Sequence, residues 1–381
     1  MKNNICVFTG SRSEFGIYKI LIDKLNKSKI NFSLVVSGSH LSNNFGKTYD
    51  EIKKYKVEKI SKIKLKNLSR ILHHNIISES FLKYCNFLKK KKYKYGIVIG
   101  DRIETFSFAL ACFFNGIKII HFHGGELTQG SLDNYFRNMI SIISHYHFVC
   151  NNVYKKRLIN LGQEPRKIFN IGSLSIDKIL NYKLLNKKKF CEIEKLSRIK
   201  KIILVTYHPL LSKKKTLYEI NNIIKSCENF KNINFLFTSP SMDPNFEIIV
   251  KTVKKSCKKN SNFYYFKSLG HFKYISVLKF SDLVIGNSSS AIIEAPFLKT
   301  PAINIGYRQF GREMSSSIFN ITNVNSNNLT TKIKKLLSNK QRIKFQNKYS
   351  GKNSSKKFVN IFKKKILKDK SNKIFYEQKN K

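Results

Sequence analysis

The chain has 381 residues, with 72 Lys and Arg against 23 Asp and Glu, a formal net charge of +49, and an apolar fraction of 41%. That length suffices for two domains of ordinary size, each with its own core. No apolar run of about 18 residues and no leader-like segment at Met1 occurs, which predicts a cytoplasmic protein, neither membrane-spanning nor secreted. The seven cysteines are odd in number, scattered and free of metal-ligand spacing, as expected of reduced thiols. The lysines lie in short runs (89–92, 187–189, 213–215, 363–365) that no basic amphipathic helix or aromatic–basic motif gathers, so no nucleic-acid partner is expected. The excess charge would still attract a diphosphate-bearing ligand.

In chain order, residues 4–8 (NICVF) predict a buried strand, followed by the turn TGSRSEFG and an amphipathic helix to about Leu25. A glycine and hydroxyl turn entering a helix offers backbone N–H groups to an anion, and Arg12 adds a fork of donors. Residues 32–36 form a second strand with Ser37-Gly38-Ser39-His40 at its tip, and 67–88 a long helix. Residues 95–99 (YGIVI) predict a strand ending at Gly100-Asp101, the end at which open α/β sheets bind ligands. A buried helix over 103–114 leads to a strand over 118–122 that ends at His123-Gly124-Gly125-Glu126. A polar turn over 128–133 then places Asp133 near the N-cap of a helix running to Ile143, with Arg137 four residues on and on the same face. Any one of these residues could be a cap or a turn. Four ionisable groups gathered on adjacent strand tips instead predict an active site.

A strand over 146–150, a helix over 153–161 and a strand from 168 to Gly172-Ser173 complete the first alternation. Residues 181–200 are lysine-rich and weakly patterned, and the alternation then restarts. Strands over 201–206, ending at His208-Pro209, and over 234–238, 262–266 and 282–285 follow, the last running into Gly286-Asn287-Ser288-Ser289-Ser290 and a helix from Ala291 that carries Glu294. Three hydroxyls at a helix start suit phosphate oxygens, and Glu294 suits ribose hydroxyls. The loop Gly306-Tyr307-Arg308-Gln309-Phe310-Gly311-Arg312 is too rich in Gly and Arg for a packed strand and reads as an anion-handling segment. The fold class predicted is α/β, with two Rossmann-like doubly wound domains, 1–170 and 171–350, facing a cleft, and a terminal helix and basic tail over 351–381. No Gly-x-Gly-x-x-Gly fingerprint occurs, so dinucleotide redox chemistry is not expected.

The segments TGSRSEFG, GDRIE, HFHGGELTQGSLDNYFR, SHYHF, GNSSSAIIEAP and NIGYRQFGR, in this order, resemble the UDP-N-acetylglucosamine 2-epimerase family, most of all its hydrolysing, sialic-acid-pathway branch. The resemblance implies a glycosyltransferase-B-like fold, a homodimer formed through the first domain, and a terminal helix (about 353–367) crossing back onto that domain. It implies further that Arg12, Ser288 to Ser290 with Gly286 and Asn287, Glu294, Arg308 and Arg312 hold a sugar nucleotide, with no cofactor and no metal. It places Asp101, His123, Glu126, Asp133, Arg137 and His208 in the catalytic neighbourhood. The family often has Glu where this chain has His123, which leaves the acid's role open between His123 and Glu126, and Tyr307 stands where a charged residue is common. The chemistry implied is elimination of the diphosphate across carbons 1 and 2 of UDP-N-acetylglucosamine, then hydration to N-acetylmannosamine.

Overall fold

The computed structural model describes residues 5–41, 49–55, 57–65, 73–129, 131–240, 244–339, 342–349 and 351–377. They form two compact units, residues 1–126, 132–180 and 349–381 in one and 127–131 and 181–348 in the other. In the first unit, β1 (Ile5–Thr9), β2 (Phe32–Val36), β3 (Lys59–Lys62), β4 (Tyr95–Ile99), β5 (Lys118–Phe122), β6 (Tyr146–Val149) and β7 (Ile168–Asn170) make a parallel sheet of order β3-β2-β1-β4-β5-β6-β7. In the second, β8 (Lys201–Thr206), β9 (Ile233–Thr238), β10 (Phe263–Phe266), β11 (Leu283–Gly286), β12 (Ala302–Ile305) and β13 (Ile318–Ile321) make a parallel sheet of order β10-β9-β8-β11-β12-β13. The central strands are continuous β-branched and aromatic runs with every residue buried, as a sheet covered on both faces requires. Strand order reverses between β1 and β4 and between β8 and β11, the switch points where such sheets bind ligands. Both units are Rossmann-like, the glycosyltransferase-B-like architecture expected.

Three details differ from the sequence reading. The chain divides at Leu180 rather than 170 because the helix Leu174–Leu180 packs on Arg12–Lys27, where the buried Lys178 Nζ donates to the carbonyl of Gly16. The weakly patterned stretch contains a helix, Lys187–Ile193, started by the Asn186 side chain accepting from the N–H of Lys189 at 2.8 Å and anchored by buried Phe190 and Cys191. The helix expected over 67–88 is present from His73 to Lys89, and the part before 73 lies outside the described residues, as does Gly130 in the expected 128–133 turn.

Residues 349–381 belong to the first unit. The helix Ser354–Lys364 lays Phe358, Val359 and Phe362 into the core beside Phe122 and Phe148, with Phe358 ring centroids 5.0 and 4.9 Å from theirs. Its start is capped from another helix: Asp177 accepts from the N–H groups of Asn353 (3.0 Å) and Ser355 (2.9 Å) and from the Ser355 hydroxyl (2.7 Å). A carboxylate there meets the positive end of the helix dipole and satisfies donors that would otherwise be orphaned.

Candidate functional site

In the first unit the predicted residues gather at the tips of β4 and β5. Asp101 follows β4 and takes the guanidinium of Arg137, whose side chain is 2% exposed against 19% for Asp101. Arg137 also donates to the backbone carbonyl of Glu126 at 2.8 Å, so one buried cation ties the two strand tips together. His123, one residue past β5, has φ +65, a left-handed conformation uncommon outside glycine. Gly125 (φ +76) follows it where a Cβ would stand 2.5 Å from the carbonyl oxygen of Tyr154. The chain therefore turns back sharply and brings the Glu126 carboxylate 2.8 Å from His123 Nδ1. Non-glycine residues held at positive φ cost free energy and concentrate at functional sites. Asp133 is the first residue of the helix Asp133–Ile143 and half-buried; the N-cap position falls on Leu132, which makes no side-chain cap.

Two neighbours were not singled out in the sequence. Cys150 follows β6, the same strand-end position that drew attention to Asp101 and His123, and its Sγ lies 3.2 Å from His123 Nδ1 and 3.4 Å from Glu126 Oε1. His121, wholly buried on β5, is held by Ser141 Oγ (3.1 Å) and the Gly100 carbonyl (2.8 Å), and burial lowers its pKa to about 4, so it is a neutral structural imidazole.

The first turn departs from expectation. Glu14 places its own carboxylate over the donors: Oε2 accepts from Gly10 N (2.7 Å) and Ser11 N (3.0 Å), while Oε1 accepts from Thr105 Oγ1 (2.7 Å). Together with Ser11 this is a capping box. The N–H groups of Gly10 and Ser11 that the sequence reading offered to a ligand thus already have a carboxyl acceptor in cis, while Arg12 remains exposed at the helix start. Burial raises the Glu14 pKa to about 7.

In the second unit the predicted residues flank the β8/β11 switch point. The buried side chain of Asn287 accepts from His208 N (2.6 Å) and donates to His208 O (2.9 Å), so its amide is engaged in fixing His208. Gly286 has φ +141, and a Cβ there would lie 1.9 Å from the carbonyl oxygen of Thr206. Ser288 and Ser290 hydroxyls are 3.0 Å apart, and the Tyr274 hydroxyl closes on Ser290, a phenol supplied from mid-helix with no local sequence signal. Ser289 opens the helix Ser290–Phe297 in helical geometry without a side-chain cap, and Glu294 lies half-buried one turn on. The 306–312 loop is pinned to this turn by Gln309 Nε2 donating to Asn287 O at 2.9 Å, and Arg308 and Arg312 are half-buried on it.

Known proteins of similar sequence and fold point to one family. The model of the UDP-N-acetylglucosamine 2-epimerase family matches residues 23–363. A GDP/UDP-N,N'-diacetylbacillosamine 2-epimerase (hydrolyzing) of Campylobacter jejuni is 39% identical over 83% of this chain and 84% of its own. The polysialic acid biosynthesis protein P7 of Escherichia coli is 36% identical over 83% and 82%. Among solved structures, the Neisseria meningitidis UDP-GlcNAc 2-epimerase bound to UDP-GlcNAc superposes with a TM-score of 0.80 at 18% identity, covering 96% of this chain and 99% of that one. With a family match spanning most of both sheets and a fold shared from end to end, the chain belongs to the UDP-N-acetylglucosamine 2-epimerase family.

Proposed function

We propose that this protein is a hydrolysing 2-epimerase of a UDP-linked 2-acetamido sugar, taking UDP-N-acetylglucosamine and water to N-acetylmannosamine and UDP in nonulosonic-acid synthesis. The observation that carries the reading is the pairing of Asp101 with Arg137 and of His123 with Glu126 at neighbouring strand tips, in a chain similar to enzymes named as hydrolysing 2-epimerases. The C–H bond at carbon 2 becomes labile if the diphosphate leaves carbon 1 as the proton is removed. An acetamidoglucal forms, water adds its hydroxyl to carbon 1, and a proton returns to the opposite face of carbon 2. That path needs a base, an acid and donors for the departing diphosphate.

Glu126 on Nδ1 of His123, at 2.8 Å, supports a reading in which Nε2 is the working nitrogen, His123 the acid/base and Glu126 its positioning residue. Asp101 and Asp133 supply the remaining carboxylates. Ser288, Ser289, Ser290, Arg308 and Arg312 bind diphosphate and Glu294 binds ribose. His208, its backbone held by Asn287, acts beside them. Exposed Leu82, Phe113, Phe114, Tyr135 and Met139 on neighbouring helices of the first unit support a homodimer through that unit, to be measured by sedimentation. A second reading, a 2,4-diacetamido sugar on UDP or GDP, is favoured by the names of two relatives, the Campylobacter jejuni enzyme at 39% identity and a UDP-N,N'-diacetylbacillosamine 2-epimerase (hydrolyzing) of Legionella pneumophila at 29% over 95% of this chain. A panel of UDP and GDP sugars with products identified by mass spectrometry separates the two. In deuterium oxide the released sugar should carry one deuterium at carbon 2, and labelled water should place its oxygen in the sugar and not in UDP. Protium at carbon 2, or release of unepimerised sugar alone, would sink the elimination.

A further inference from the structure

We propose that His123, Glu126 and Cys150 form a three-ligand site for a divalent cation of zinc-like preference, and that the bound cation holds the enzyme inactive. The three donor atoms lie within 4.8 Å of one another, and all three residues are buried. Nitrogen, carboxylate oxygen and sulfur are the ligand types zinc takes, with three protein ligands and one open position where exchange is needed. The edges of the donor triangle are 2.8, 3.2 and 3.4 Å. Zinc bond lengths in a tetrahedron set those edges at roughly 3.4 to 3.6 Å, so each donor pair need open by only about 0.2 to 0.6 Å.

The shape of the cluster argues for a cation as well as for hydrogen bonding. A proton relay puts its two partners on opposite nitrogens of the imidazole. Here the carboxylate and the sulfur both meet Nδ1, so three donors converge on one point and compete for the same proton. Replacing the shared protons by a cation leaves a carboxylate, a thiolate and a neutral imidazole, a charge of −2 that matches a divalent ion. Arg137 on the Glu126 carbonyl (2.8 Å) and Arg157 near the Gly125 carbonyl (3.5 Å) favour the thiolate but oppose the ion, which makes binding reversible rather than permanent. The site is reached from the edge of His123, whose side chain keeps 10% of its surface exposed against 2% for Glu126. Inhibition rests on the proposed role of His123: a cation on Nδ1 displaces the Glu126 bond that sets the ring for proton transfer.

The test is cobalt titration of the full-length protein, followed by its absorbance. One equivalent should bind with a thiolate-to-cobalt charge-transfer band; Cys150→Ser should abolish the band, and Cys257→Ser should retain it. Should Cys150→Ser fail to fold, Glu126→Gln should still weaken cobalt binding at least tenfold with the thermal transition preserved. No sulfur band in the wild type, or a band that survives in folded Cys150→Ser, overturns the site. Zinc should lower turnover at least tenfold and a chelator restore it; cobalt bound through Cys150 with turnover undiminished overturns the inhibitory role. Failure to bind metal leaves the epimerase reading intact, and protium at carbon 2 leaves the metal site intact.

Discussion

Removing Asp101 tests whether the strand-tip ion pair serves folding as well as chemistry. Arg137 is 2% exposed and holds the Asp101 carboxylate and the Glu126 carbonyl, so Asp101→Ala takes the carboxylate away from a buried guanidinium. Breaking a buried pair from one side costs about 3 to 5 kcal/mol. Because Asp101 keeps 19% of its side-chain surface exposed, water replaces part of the loss, and the lower end, about 3 kcal/mol, is expected. For a body of this size that lowers the first thermal transition by roughly 6 to 12 °C. Asp101→Asn keeps one acceptor oxygen and should recover about 1 kcal/mol of it. Adding Arg137→Met to Asp101→Ala removes the buried charge that has lost its carboxylate, so the double variant should melt above the single one while turnover stays at least tenfold down in both. Scanning calorimetry and a coupled UDP-release assay read the two effects. A single variant that melts with the wild type, or a double variant whose losses merely add, would refute the buried-pair argument.

Gly286→Ala should prevent stable folding of the second unit, at a cost above about 3 kcal/mol, because its Cβ would stand 1.9 Å from the Thr206 carbonyl oxygen at φ +141; a wild-type thermal melt would contradict this. Asn287→Ala releases both backbone groups of His208 and should cut kcat at least tenfold, with the Kd for UDP changed less than threefold by calorimetry; a change confined to Kd would make Asn287 a nucleotide ligand instead. Glu14, its carboxyl raised by burial from 4.5 to about 7, binds a proton more tightly folded than unfolded. Its contribution is therefore fully present below pH 4.5 and lost as pH rises through about 7, so Glu14→Gln should flatten stability over that window in urea titrations; an unchanged pH profile would show that Glu14 is ionised throughout.

What the sequence disclosed and what it hid follow from which forces act locally. The strands over 95–99, 118–122 and 201–206 were readable to the residue because unbroken β-branched runs have no other burial solution in a covered parallel sheet. The helix over 187–193 was not, because its two buried residues sit among lysines and give no period. The left-handed turn at His123 is set by packing against Tyr154 and by Arg137, neither adjacent in sequence, so its meeting with Cys150 could not be read from spacing. The capture of Gly10 and Ser11 by Glu14 could have been read: Ser11 and Glu14 have the spacing of a capping box, and a carboxylate already in the turn predicts that its donors are satisfied.

That contrast separates two turns that look alike as sequence. Thr9-Gly10-Ser11 and Gly286-Asn287-Ser288-Ser289-Ser290 both leave a strand at a switch point and both enter a helix. In the first, the buried Glu14 carboxyl takes two backbone donors at 2.7 and 3.0 Å, and an anion would have to displace it, above about pH 7 against charge repulsion as well. In the second, Ser288 and Ser290 bond each other and the Tyr274 phenol, neutral hydroxyls that rotate towards a phosphate oxygen without giving up a charged partner. Since hydrogen bonds to an ionised acceptor are about twice as strong as neutral ones, above about pH 7, where Glu14 is ionised, the exchange favours the ligand only at the serine turn. With the Gly10 and Ser11 donors engaged, that turn offers an anion less than the serine turn does, so Arg12→Ala should weaken UDP binding less than loss of the serines.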